Sequence, residues 1–160
     1  MSTIETVRSK QTIFSGGSAL STLRMIEINP IEICNRVCEF CPRSMPDLYP
    51  NKNLKTSNDL IQKIANDCNS FGYDGRIGFV GFGEPTLHKN IIQHIEILSS
   101  IKTLKYLEIN TNGDFLTRDK IKQFKEAGLT HLTVSMYDED ISERLFNMAK
   151  NIDIEIVPRH

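Results

Sequence analysis

The sequence predicts an α/β fold, a partial parallel (βα) barrel of about five βα units. Three observations carry this. From about residue 25 onward, short Ile-, Val- and Leu-rich runs alternate with runs of helical period. Strands that alternate with helices imply right-handed βαβ units and a parallel sheet. Each repeat is about as long as one unit of a TIM-type barrel. Five strands cannot close an eight-fold barrel, which typically takes ~250 residues. An open barrel is therefore expected, or a core truncated at its C-terminal end.

The elements follow in order. Met25–Ile33 is an Ile-rich strand that runs into three clustered cysteines. Cys41–Thr56 holds Pro42, Pro46 and Pro50 and reads as loop. Thr56–Phe71 is a helix with Leu60, Ile61, Ile64, Ala65, Cys68 and Phe71 on one face. Thr56 and Asp59 stand as a capping box at its start, and Gly72 supplies the stop. Arg76–Gly81 is a strand, and Lys89–Ile101 a helix with Ile91, Ile95 and Leu98 buried. Leu104–Asn110 is a strand. Thr117–Ala127 is a helix capped by Thr117 and ended at Gly128. His131–Met136 is a strand, Asp140–Lys150 a helix, and Ile152–Val157 a fifth strand.

The later strands alternate in character. Leu107 and Ile109, then Leu132, Val134 and Met136, then Ile152, Ile154 and Ile156 suit packing on helices. Between them stand Glu108, Asn110 and Asn112; Thr133, Ser135 and Tyr137; Asp153, Glu155 and Arg159. Successive strand side chains point to opposite faces, so the second set faces a lumen. A usual TIM lumen is filled by branched apolar side chains. A polar one suggests a cavity for polar ligands. A half-exposed sheet with a solvated polar face is the alternative.

Bulk properties narrow the function. The 160 residues suffice for one domain with a sizeable core. Residues 1–24 read as an N-terminal extension and residues 25–160 as the core domain. A net charge of −1 argues against an electrostatic nucleic-acid binder. No apolar run approaches the ~20 residues that span a membrane, and Met1–Ser18 lacks the apolar core of a secretory signal. A cytoplasmic, reducing setting is expected.

Chemistry concentrates in Cys34, Cys38 and Cys41, spaced C-x3-C-x2-C directly after the first strand. Active sites of βα barrels lie at that end of the strands. Three thiolates on one loop can hold three irons of a cubane iron–sulfur cluster, and the fourth iron then stays open. The rival is a structural zinc site, which needs a fourth ligand. Cys68 lies on an apolar helix stripe, and nothing in the spacing favours His88 or His94. His88, His94 and His131 receive no catalytic role, because a lone histidine is more often a surface or capping residue.

With Phe40 just before its third cysteine, this loop resembles that of the radical S-adenosylmethionine (SAM) superfamily. The resemblance runs from Met25 onward and has three further points at strand ends. Phe82-Gly83-Glu84-Pro85 is similar to a Gly-Gly-Glu-Pro motif, with Phe82 in place of a glycine. Asn110-Thr111-Asn112-Gly113 ends the third strand, and Ser135 closes the fourth. The continuation Pro42-Arg43 and the stretch from Gly81 to His88 are similar to members with an extra C-terminal cluster domain of the SPASM or Twitch type. No cysteine follows Cys68 to build one.

The resemblance implies a 4Fe–4S cluster on Cys34, Cys38 and Cys41, with SAM chelating the open iron. It implies reductive cleavage of SAM to a 5′-deoxyadenosyl radical, which takes hydrogen from a substrate, small molecule or peptide. An electron donor such as flavodoxin or ferredoxin is implied too. Phe40, Phe82, Gly83, Glu84, Asn112, Ser135 and Arg159 are the expected SAM contacts. Among them, Gly83 admits close backbone approach, Glu84 faces a cationic ligand, and Asn112 and Ser135 bond ribose or carboxylate. Arg159 pairs with the SAM carboxylate. Two alternatives stay open: a short activating enzyme for a glycyl-radical protein, and a non-catalytic metal-binding module.

Overall fold

The computed structural model describes residues 22–137 and 139–159. Five strands form one parallel sheet: β1 Met25–Ile28, β2 Arg76–Phe79, β3 Tyr106–Thr111, β4 His131–Ser135 and β5 Glu155–Arg159. The helices between them are α1 Asn58–Phe71, α2 Ile91–Ser99, α3 Arg118–Glu126 and α4 Glu139–Ala149. Spatial order equals sequence order, and every neighbouring pair is parallel. The sheet is thus singly wound. A doubly wound sheet would reverse its order at a switch point. This is the α/β partial barrel that the strand–helix alternation predicts. Among the described residues, no helix is long and apolar enough to cross a membrane.

The core lies between one sheet face and the helices. Ile77, Phe79, Leu107, Ile109, Leu132 and Val134 meet Ile61, Ala65, Ile95, Leu98, Ile121 and Phe124 there. Cys68, only 2% exposed, belongs to this core, as its place on the helix stripe predicts. Burying side chains of this size stabilises by about 1.5–3 kcal/mol each.

Several boundaries differ from those expected, for local reasons. β1 stops at Ile28 rather than Ile33, because the chain leaves the sheet at Asn29-Pro30. Ile31 then bridges Lys55 in antiparallel fashion, and the Thr56 amide donates to the Pro30 carbonyl at 2.9 Å. That contact takes Thr56 out of the helix. Ser57 is the cap of α1 instead, its hydroxyl accepting from the Leu60 amide at 3.2 Å. Gly72 ends α1 in the left-handed region, as expected (φ 67°). Thr117 caps α3, accepting from the Lys120 amide at 3.1 Å. β5 begins at Glu155 rather than Ile152, since Asn151 (φ 64°) and a turn follow α4.

The inner sheet face is polar, but its membership shifts. Register places His131 beside Glu108 and Glu155, and Ser135 beside Arg159. Asp153 precedes β5 and pairs with Lys125 of α3 at 3.0 Å, so it leaves the predicted lumen set. Met136 packs partly on the core and also lines the cavity described below. At the N-terminal ends of the strands the face is sealed by stacking. The Arg76 guanidinium lies 3.7 Å from the Tyr106 ring centroid, and Tyr106 stacks on His131 at 3.6 Å. His131 Nε2 lies 3.1 Å from a Glu155 carboxylate oxygen. Above this layer, Glu108 accepts from Tyr106 Oη at 3.1 Å and from Thr133 Oγ1 at 3.3 Å.

His88 and His94 are buried rather than superficial. Their rings lie 4.6 Å apart between α1 and α2, and His94 is 0% exposed. His94 Nε2 contacts Asn58 Oδ1 at 2.9 Å, while its Nδ1 has no partner among the described residues. Burial first, then the neighbouring His88, lowers the His94 pKa to about 4. A depressed histidine pKa means that below the unfolded value of ~6.5 the unfolded chain binds the proton and the folded chain resists it. Stability is therefore expected to fall as pH drops from about 6.5 toward 4. The loss reaches about 2 kcal/mol near pH 5 by linkage. Urea unfolding at stepped pH measures this, and His94→Gln is expected to flatten the slope.

Candidate active site

The site is built where three strand ends meet the cysteine loop. β1 delivers the chain to Asn29, and the turn to Cys34 is pinned by two backbone bonds. The Glu32 amide donates to Leu54 at 3.0 Å, and the Glu84 amide donates to the Ile33 carbonyl at 2.9 Å. The second bond ties the cysteine loop directly to the loop after β2. Within the loop, the Cys41 amide donates to the Cys38 carbonyl at 2.9 Å, and Pro42–Ser44 forms a single 3-10 turn. Cys34, Cys38 and Cys41 are free and half-buried. Burial, followed by the neighbouring Cys34 and Cys41, raises the Cys38 thiol pKa; Arg36 opposes it.

Gly81–Glu84 wraps around the start of this loop. Gly81 has φ 137°, open to glycine, and a Cβ there would meet the Asn29 side chain at 2.7 Å. A Cβ on Gly83 would land on the carbonyl oxygen of Ile31, far inside contact distance. The close approach expected of Gly83 is thus an approach to the chain's own backbone under the cysteines.

Glu84 departs from its expected posture. It is 2% exposed, and its carboxylate accepts from four donors. These are the Thr86 amide at 3.0 Å, the Thr86 and Thr111 hydroxyls at 2.6 Å each, and the Asn112 amide at 2.9 Å. Three of these bonds fall on Oε1 and one on Oε2, so most of the carboxylate is spent inside the protein. Glu84 instead ties the loop after β2 to the end of β3.

Asn112 is likewise committed. Its Nδ2 donates to Asn35 Oδ1 at 2.9 Å and lies 3.9 Å from Cys34 Sγ, while its Oδ1 accepts from the Asp114 amide at 3.0 Å. Asp114 extends the contact. It receives Arg36 through Nε at 2.7 Å and Nη2 at 2.5 Å, and Asn35 Nδ2 at 2.6 Å. The Arg36 hydrogen bond, opposed by burial, holds the Asp114 carboxyl below its ordinary pKa. Two residues between the first two cysteines are thereby clamped to the end of β3. Asn35, Arg36 and Asp114 escaped the sequence reading. Their only signal is a polar pair inside C-x3-C and an acid after Asn-Gly.

All ten residues singled out from the sequence line one cavity of about 570 Å³: Cys34, Cys38, Phe40, Cys41, Phe82, Gly83, Glu84, Asn112, Ser135 and Arg159. Phe40 is 75% exposed at its rim and packs on Tyr137, with ring centroids 5.7 Å apart. Phe82 meets Tyr49 edge-on at 5.1 Å. Asn110 and Tyr137, both of the polar lumen set, join the wall, as does Arg36, which was not foreseen.

The cysteines suit a cluster better than one closed metal ion. Zinc in a structural role takes four converging ligands. Cys68, His88 and His94 are buried in the helix layer and cannot supply a fourth. Among the described residues, no three His, Cys, Asp or Glu side chains are arranged to hold a single ion. Thiolates that each serve a separate iron need no such convergence.

A singly wound βα sheet with a three-cysteine loop at the C-terminal end of its first strand defines a class of barrel enzymes that work through a bound cofactor. The sequence profile of the Radical SAM superfamily matches residues 28–152, and the chain belongs to that family of enzymes. It is 28% identical over 134 residues to GTP 3′,8-cyclase of Aquifex aeolicus (strain VF5), covering 81% of this chain and 41% of that protein. It is 29% identical over 113 residues to the S-adenosyl-L-methionine-dependent 2-deoxy-scyllo-inosamine dehydrogenase of Niallia circulans, covering 71% and 44%. Among solved structures, BtrN in complex with AdoMet and 2-DOIA superposes with TM-score 0.73 at 24% identity, covering 86% of this chain and 57% of that one. Native anSMEcpe with bound AdoMet gives 0.66 at 18%, covering 84% and 43%. The chain spans about half or less of the curated relatives' length. The structural likenesses speak for the fold.

Proposed function

We propose that this chain is the catalytic core of a radical SAM enzyme acting on a small-molecule substrate. Cys34, Cys38 and Cys41 hold a 4Fe–4S cluster, and SAM occupies the cavity beside them. When bound, the cluster and SAM supply a 5′-deoxyadenosyl radical by one-electron reductive cleavage, and the radical takes hydrogen from the substrate. The electron comes from a donor of the flavodoxin or ferredoxin class.

One observation carries this reading: the three cysteines, Phe40 within their loop and six residues from four other segments converge on one cavity at the C-terminal strand ends. The chain's own contribution is orientation. Gly83 brings the loop after β2 under the cysteines, and Glu84 fixes that loop to β3. Phe82 and Gly83 then line the ligand cavity beside the cysteines. Arg159 is exposed at the wall in register with Ser135, and its guanidinium matches a carboxylate. Phe40 and Tyr137 offer aromatic faces at the rim, suited to a purine. The relatives named above, a GTP cyclase and an inosamine dehydrogenase, favour a small molecule over a protein substrate.

The test is anaerobic reconstitution with iron and sulfide, followed by a strong one-electron reductant and SAM. Bound iron and sulfide, a visible charge-transfer band and formation of 5′-deoxyadenosine are expected. A chain that takes up no cluster would refute the reading.

A further inference from the structure

Arg43 is a buried cation without a negative partner. It stands two residues after Cys41, in the 3-10 turn Pro42–Ser44, and is 7% exposed. Its Nε donates to the Phe82 carbonyl, and its Nη1 donates to Asn51 Oδ1 at 2.8 Å. Its guanidinium lies 5.2 Å from the Tyr49 ring centroid. Every one of these partners is neutral. Nη2 is fully buried and has no partner among the described residues. Its nearest counterpart in the loop, Arg36, is by contrast satisfied by Asp114.

Burying a charge without a compensating one costs several kcal/mol. A surface arginine would reach water, and one in a buried ion pair would have a carboxylate. Arg43 has neither, and it borders the same crevice as Cys34 behind the cysteine loop. The compensating charge is therefore expected from whatever the three thiolates hold, since a thiolate-bound cluster is anionic. The unpartnered Nη2 would supply a hydrogen bond to that centre.

Resting on the functional reading above, we propose that Arg43 is the charge partner of the loaded cysteine centre and sets its reduction potential. Reduction brings in one electron from an external one-electron donor. It breaks no bond, and it leaves the centre one unit more negative. A fixed cation alongside favours that more negative form, because net charge and hydrogen bonds around the sulfurs tune such potentials. The same side chain grips the Phe82 carbonyl, so charge and the ligand-facing turn are joined through one residue.

Three variants test this: Arg43→Gln, Arg43→Lys and Asn51→Asp. Each is reconstituted anaerobically, its iron and sulfide are counted, and its centre is titrated with reductant while the reduced signal is followed by EPR. Arg43→Gln is expected to lower the reduced-to-oxidised ratio at a fixed potential about tenfold, ~59 mV for a one-electron couple. Arg43→Lys keeps the charge and is expected to stay within about threefold of the parent, ~30 mV on the same constant. Asn51→Asp leaves the arginine and its acceptor in place but adds a carboxylate, and is expected to shift in the same direction as Arg43→Gln. Should Arg43→Gln not fold, Asn51→Asp still decides the matter. Equal potentials in the parent, Arg43→Gln and Asn51→Asp overturn the proposal and leave Arg43 a structural strap. A parent chain without iron and sulfide overturns the functional reading itself, and the proposal with it; the metal count separates the two failures.

Discussion

A Cys38→Ala chain, reconstituted with iron and sulfide, is expected to lose the visible absorption of a bound cluster and to form no 5′-deoxyadenosine. Cys38 is the middle ligand of the proposed three, and its amide-to-carbonyl neighbours already bend the loop around it. Two thiolates cannot hold a cubane that leaves one iron open, because a second iron would then lack a protein ligand. The expected loss is complete within detection, at least about 10³-fold, on the scale seen when a group essential to catalysis is removed. Cys68→Ala is the control. That thiol sits in the apolar layer between helix and sheet, so its removal costs about 1 kcal/mol of stability and leaves cluster content unchanged. Iron and sulfide analysis with single-turnover product detection measures both. Wild-type rates from Cys38→Ala would remove the ligand assignment.

Gly83→Ala is expected to weaken SAM binding at least about tenfold, ~1.4 kcal/mol, and to destabilise the fold by about 1–3 kcal/mol, the usual cost of forcing a group into filled space. The added methyl would fall on the Ile31 carbonyl oxygen, which is backbone and cannot rotate aside. Either the Ile31–Ile33 segment or the Phe82–Glu84 segment must retreat. The second lines the cavity and the first leads directly into Cys34, and they are tied by the Glu84 amide to the Ile33 carbonyl. Gly72→Ala separates this from a general glycine effect. Nothing lies within 4 Å of a Cβ at Gly72, so only the left-handed backbone penalty of about 1 kcal/mol applies, with SAM binding unchanged. Equilibrium binding of SAM and thermal unfolding of both variants distinguish the outcomes. Equal SAM affinity in Gly83→Ala and the parent would show that the turn does not carry the ligand.

Much of this was legible in the chain itself. Strand–helix alternation with Ile-rich strands predicts a parallel sheet, because apolar strand residues need helices to cover them. The helix caps at Thr117 and Gly72 are local chemistry, and local chemistry reads well. Thr56 read wrongly for a reason of the same kind in reverse. Its amide is taken by Pro30, 26 positions earlier, and Ser57 inherits the cap. Asp153 was placed in the lumen by counting in twos, but the turn after α4 delays β5 and resets the count.

The site divides along the same line. Three cysteines in eight residues mark a candidate metal-binding loop before any fold is known, since spacing and residue type are read along the chain. The turn Phe82–Pro85, the Asn-Gly end of β3 and Ser135 were identifiable as strand-end residues for the same reason. What those residues face was not. Glu84 bears a charge that suggested a ligand, and only the folded chain shows four donors closing around it. Asn112 bonds the cysteine loop 77 positions away. Asp114 anchors Asn35 and Arg36 from a part of the sequence with no motif. Arg43 looks like any arginine after a proline until its burial and missing counter-charge appear. Sequence alone therefore determined the alternation, the helix layer and the three-cysteine loop proposed to hold a metal centre, because these follow from neighbours along the chain. Tertiary structure decided which polar groups were already spent on one another, because hydrogen-bond partners are chosen by distance in space.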